Sequence, residues 1–136
     1  MLIGRKKQRV ALSAFAVVLG AVLVLGETYR SFGQGRPFFN WFDDYIVGFF
    51  LFLGAYKTFQ SARKVKFLSA AFAICATGTA MSYFSKILNP DQAIHSNVSF
   101  SILTNLLLIV FVTSSAGMFW TLAVDFQDDE GLDTQD

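Results

Sequence analysis

Four apolar stretches divide the chain, with short polar segments between them. They are "VALSAFAVVLGAVLVLG" (10–26), a segment centred on "YIVGFFLFLGAY" (45–56), "FLSAAFAICATGTAMSYF" (67–84) and "SILTNLLLIVFVTSSAGMFWTLAV" (101–124). A helix needs about 20 residues, with a range of about 17–25, to cross the hydrocarbon core of a bilayer. The first, third and fourth stretches meet that directly. The second, from Tyr45 to Phe59, gives only about 22 Å of helix, so it must lengthen at one end. No stretch shows the period-two alternation of a barrel strand, and four strands cannot close a barrel. Both prolines, Pro37 and Pro90, fall between stretches. The pattern therefore predicts an all-α, polytopic membrane protein: a bundle of four transmembrane helices at about 10–26, 43–60, 67–84 and 101–124.

Composition strengthens that reading. Hydrophobic residues make up 54% of the 136-residue chain and charged residues 15%, against about 25% charged in an ordinary soluble domain. The expected surroundings are a lipid bilayer. The net charge of +1 gives no reason to expect a nucleic-acid partner, but the uneven distribution of charge sets a direction. Arg5, Lys6, Lys7 and Arg9 in the head join Lys57, Arg63, Lys64 and Lys66 on one side, leaving Arg30, Arg36 and Lys86 on the other. The side richer in lysine and arginine is the cytoplasmic one, which places both termini inside. The apolar run of the first stretch exceeds the about 7–15 residues of a signal-peptide core, so it is expected to be retained. Residues 1–124 form the expected membrane domain. Residues 125–136, "DFQDDEGLDTQD", hold six acids and no base and are expected to be a disordered cytoplasmic tail.

Helices in lipid associate where small residues let backbones approach. Span three offers Ser69, Ala73 and Thr77, span four Thr113, Gly117 and Thr121, and span one Ser13, Ala16 and Gly20. Span two, with Phe49, Phe50, Phe52 and Phe59, is expected to face lipid over much of its girth. Trp41, Tyr45, Tyr83 and Trp120 fall where aromatic rings anchor at a membrane interface.

The chemistry is sparse. One cysteine, Cys75, excludes an intramolecular disulfide and paired-thiol redox chemistry, and one histidine, His95, excludes haem ligation by two. No phosphate loop, HExxH or Gly-x-Ser-x-Gly occurs. The centres of all four spans lack ionisable residues, the usual mark of a proton relay. No catalytic residue, cofactor or metal is expected, and the chain is expected not to be an enzyme. "NVS" at 97–99 matches a glycosylation sequon but hugs span four.

What remains is "FNWFDDYIVGFF", where Asp43 and Asp44 meet an aromatic run. One reading is a helix start. Asn40 caps, Asp43 answers it, and the helix dipole favours both acids in the first turn, with Arg30 and Arg36 neutralising them. The other is a polar cluster at the outer mouth. Neighbouring residues point about 100° apart, so only one aspartate can face the bundle. That one could meet Glu27, His95, Lys86 or Asn105 there, with Lys86 as a structural ion pair. Asn105 is also suited to hydrogen-bond a neighbouring helix.

"WFDDYIVGFFLFLGAYKTF" followed by "AAFAICATGTAMSYFSKI" resembles small, uncharacterised four-helix proteins of the bacterial inner membrane, over about residues 40–88. The resemblance implies that architecture and that location, and no activity. Two functions are expected from the sequence: an accessory or structural subunit acting through helix association, as a homo-oligomer or with a membrane-protein partner, or an oligomeric small-solute or ion transporter with an acidic outer mouth.

Overall fold

The computed structural model describes residues 2–35, 37, 42–61, 64–90 and 97–130, with the backbone alone at 2–5 and 126–130. These residues form four helices: α1 (Leu2–Ser31), α2 (Phe42–Gln60), α3 (Val65–Leu88) and α4 (Phe100–Glu130). Three are long and apolar enough to cross a membrane, over Lys6–Ser31, Val65–Leu88 and Phe100–Asp125. The shorter α2 has 19 residues, about 28 Å of helix, and carries Asp43, Asp44 and Lys57. It has lengthened at the end that bears the aspartates, which occupy its first turn where the helix dipole favours negative charge.

The helices run past the ends of the apolar stretches. α1 ends where Gly33 and Gly35 take positive φ angles of 74° and 62°, a backbone state that glycine adopts without steric cost. α3 stops at Asn89, whose N–H donates to the Ser85 carbonyl, just before Pro90. α4 continues to Glu130. Residues 125–130, expected in a disordered tail, therefore extend the last helix instead. One anchor of that extension is Asp125, 3.7 Å from Lys66 at the start of α3; an exposed pair like this contributes about 0–1 kcal/mol. Residues 131–136 lie outside the described residues.

Consecutive helices are the main neighbours, α3 with α4 most extensively, while α1 meets α4 sparsely. Glycine marks each of the three main contacts. A Cβ on Gly48 of α2 would lie 3.3 Å from the Gly20 carbonyl oxygen of α1. One on Gly54 would lie 3.1 Å from the Leu68 Cα of α3, and one on Gly117 of α4 would lie 2.8 Å from the Phe72 ring. Bare backbone is what allows these helices to approach so closely. Phe72 is fully buried and also stacks on Phe15 of α1, with ring centroids 5.6 Å apart. Leu12, Ala16, Leu51, Leu68 and Cys75 surround it.

The expected small-residue surfaces are partly confirmed. Ser13, Ala16 and Gly20 are buried, as are Gly117 and Thr121, while Phe49, Phe50, Phe52 and Phe59 of α2 are exposed. On α3 the buried stripe runs through Leu68, Phe72, Cys75 and Thr79. Thr77 is exposed and Ala73 half-buried, so the Ser69–Ala73–Thr77 stripe enters the contact surface only at Ser69. Gly117 leaves room for a large ring, and α3 turns Phe72 toward that room. Hydroxyls in the apolar helices bond back to their own backbone: Thr79 to the Cys75 carbonyl at 2.8 Å, Ser114 to Val110 at 2.6 Å and Thr121 to Met118 at 2.7 Å. These three hydroxyls thereby find acceptors on their own helix, whereas Ser13 Oγ of α1 is buried without one.

Candidate functional site

α1 and α2 are consecutive helices joined by a short loop, so the end of one lies beside the start of the other. Glu27, one turn before the end of α1, is 3% exposed. Burial of a carboxylate requires pairing, and the same turn supplies it. Arg30 Nη2 lies 2.7 Å from Glu27 Oε2 and donates to Oε1 at 2.9 Å. Ser31 Oγ donates to Oε1 at 2.6 Å. Asp44, in the first turn of α2, lies beside Glu27 at the polar end of one cleft. Two carboxylates that close repel each other unless a proton or a cation joins them. Among the described residues, Arg30 lines the same cleft as both acids. Nearby, the Thr28 and Tyr45 hydroxyls make a direct hydrogen bond between the same two helices.

A cleft of about 460 Å³ opens beside this cluster. Glu27, Arg30, Asp44, Asn97 and Ser99 form its polar end, and its walls are Val22 and Leu23 of α1 with Leu103, Leu106, Leu107 and Val110 of α4. It fills the space where α1 and α4 fail to pack. Its lining residues Val22, Ile102 and Leu106 are 53%, 55% and 48% exposed, so it opens sideways along the helices. From Ile102 to Val110 the α4 wall is about 12 Å long.

Asn97 holds the polar end together. Its Nδ2 donates to the Tyr29 and Phe32 carbonyls at 2.9 and 3.0 Å, and its backbone N–H donates to the Arg30 carbonyl at 3.4 Å. Its Oδ1 accepts from the Gln34 side chain. The last carbonyls of a helix lack intrahelical partners, and here a residue from the α3–α4 connection supplies them. The amide nitrogen that a sequon would offer is already engaged.

Of the five residues expected at one mouth, the structure brings Glu27 and Asp44 together. Asp43 is exposed and does not line the cleft. Asn105 is a correction: it is exposed and turned away from the cleft, because it sits two residues, about 200° of helix rotation, from both Leu103 and Leu107, which line the wall. It therefore serves neither the mouth nor the contact within this chain that sequence suggested. His95, Asn40, Trp41 and Arg36 lie outside the described residues. Arg30, expected to neutralise the aspartates, lines one cleft with Asp44 and also pairs with Glu27 at the i+3 spacing that favours such a pair; Asn97 stood out in the sequence only through the sequon. Among the described residues no three His, Cys, Asp or Glu side chains gather as a metal ion requires. Cys75 is buried, beside the Ser114 hydroxyl.

Comparison with protein families, with curated proteins and with solved structures finds no match for this chain.

Proposed function

We propose that this chain is a multi-pass protein of a cell membrane, a bacterial inner membrane by its resemblance, in which all four helices cross as a bundle and both termini face the cytoplasm. It acts as an accessory or structural subunit through helix association, without catalysis. The observation that carries this is the open flank of α4. Only 28% of its most apolar stretch is buried within the chain, and Asn105, Val112, Phe119 and Trp120 are all exposed along it. Small residues Ala116 and Ala123 share that flank. An outward amide at the edge of a membrane finds a partner on another helix, at about 0.6–2 kcal/mol.

The test is crosslinking in native membranes. A single cysteine at position 105, 112 or 116, in a Cys75→Ser background, is expected to give a discrete adduct with a second copy or a membrane protein. Asn105→Leu is expected to weaken association by about three-fold or more. A lone monomer from mild detergent at native abundance, with no adduct at any of the three positions, overturns the proposal.

A second reading, an oligomeric small-solute or ion transporter, is favoured by the Glu27–Asp44 pair at the rim of the cleft. It requires Asp44→Asn to abolish a measured flux without lowering abundance. Below the cleft, Phe72 fills the space between Phe15 and Gly117, which speaks against a path through one copy and in favour of association.

A further inference from the structure

A second pocket lies at the far end of the molecule from Glu27 and Asp44, where the start of α1 meets the end of α2. Its volume is about 260 Å³, enough for a head group rather than a whole lipid. Lys6 and Arg9 of α1 line it, together with Gln60 of α2 and Ser61 just beyond that helix. Lys6, Arg9 and Val10 are spaced by three and four residues, so one face of α1 brings all three to the pocket. Across from them Thr58 is buried, and its hydroxyl is spent on the Gly54 carbonyl at 2.9 Å. Gln60 and Ser61 contribute an amide and a hydroxyl.

The charge in this pocket has one sign. Among the described residues no acid lines it. Asp125, the acid described at this end of the bundle, sits beside Lys66 at the start of α3 instead. Arg9 Nε is buried with no hydrogen-bond partner among the described residues. A buried donor without an acceptor is costly, and the planar fork of a guanidinium matches the oxygens of a phosphate. Depth points the same way. Arg9 immediately precedes the apolar stretch 10–26, so in a bilayer the pocket lies at the level of the head groups. Val10 and Phe59, 45% and 58% exposed, line it as well and offer apolar surface to the chains below a head group. Basic pockets of this kind between membrane helices suit anionic lipids. A head group bearing an ammonium would bring another positive charge beside Lys6 and Arg9, which is unfavourable. A phosphate whose head is otherwise uncharged would not, and hydroxyls on that head could reach Gln60 and Ser61. The last carbonyls of α2 also favour cations beside them, but a role limited to that would leave the pocket without a lipid preference.

We propose that this pocket binds the head of an anionic phospholipid from the adjoining leaflet, with the phosphate held by Arg9 and Lys6 and the chains descending past Val10 and Phe59. The proposal rests on the membrane insertion argued above. It holds whether the protein is a subunit or a transporter.

The experiment is native mass spectrometry of the full chain. The protein is purified in mild detergent, stripped of lipid, and offered equal amounts of phosphatidylglycerol, phosphatidylethanolamine and phosphatidylcholine with identical chains. Phosphatidylglycerol is expected to be retained about five-fold or more over each of the other two. Arg9→Gln is expected to bring the three to near parity. Lys7→Gln is the decisive control. It removes an equal charge from an exposed neighbour that does not line the pocket, and it is expected to keep the preference. Ser61→Trp is expected to block retention by bulk, with both cations intact. Inorganic phosphate in excess is expected not to displace the lipid, because it lacks the chains. A monodisperse elution profile and an unchanged helical spectrum establish folding for each variant. Equal retention of the three lipids by the wild type, or an undiminished preference in Arg9→Gln, overturns the inference. An equal loss in Lys7→Gln and Arg9→Gln also does, since it marks diffuse attraction to the basic head and no pocket. Displacement by inorganic phosphate marks a site for a free anion and overturns it too. Recovery of folded protein from the soluble fraction without detergent would instead remove the membrane reading itself, so the two failures are distinguishable.

Discussion

The contacts that α4 makes with its two neighbours differ in kind. Against α3, a whole phenylalanine ring is pressed onto bare backbone: Phe72 lies where a Gly117 side chain would begin. Against α1, the facing residues are aliphatic on both sides and yet a cleft of about 460 Å³ separates them. Hydrophobicity is the same in the two places, so it does not decide which pair closes. In lipid, apolar surface gains little by meeting apolar surface, and helices join only where shapes interlock. Gly117 and Phe72 interlock. Val22, Leu106 and Val110 present branched side chains to one another with no glycine on the α4 side, and the gap persists. The acids and the arginine stand at the end of that gap.

The sharpest way to break this contrast is Phe72→Ala, which removes the ring that fills the closed seam. In mild detergent it is expected to cost about 3 kcal/mol or more, read as a lowered thermal midpoint and loss of the α3–α4 contact by crosslinking. Gly117→Ala attacks the same seam by overpacking. A Cβ there would sit 2.8–2.9 Å from three atoms of Phe72, and a loss of about 1–3 kcal/mol is expected. A smaller loss, about 1 kcal/mol, is expected for Asn97→Ala, which frees the end carbonyls of α1; amide exchange in residues 29–34 would show it. Leu106→Ala, on the open seam, is expected to change stability by less than about 1 kcal/mol, because it vacates space already facing the surroundings. Equal losses for Phe72→Ala and Leu106→Ala would show that the cleft is closed in the purified protein.

The number of helices and their approximate centres were legible because the length of an apolar run reports directly on what can cross a bilayer. Rotation about each helix axis was not. A soluble helix announces its buried face by polarity, whereas α3 and α4 are apolar all round, and the position of Phe72 depends on a vacancy at Gly117, 45 residues later. That is why the Ser69–Ala73–Thr77 stripe meets its neighbours only at Ser69 and Asn105 stands outside the cleft lining. The meeting of Glu27 and Asp44 was legible, since a short loop between antiparallel helices must bring its two ends together. The orientation of the Glu27–Arg30 pair was available in the i+3 spacing. The clasp at Asn97 was not, because a single amide in a loop looks the same whether it faces water or the end of a helix.

That clasp ties the beginning of the chain to its end. The carbonyls of Tyr29 and Phe32 receive their donor from a residue 68 and 65 positions further on. A ribosome that has delivered only the first hairpin has thus made a helix whose final turn is still unsealed. The end of α1 acquires these donors only when the connection leading into α4 arrives, and shortening that connection is expected to loosen that same end of α1.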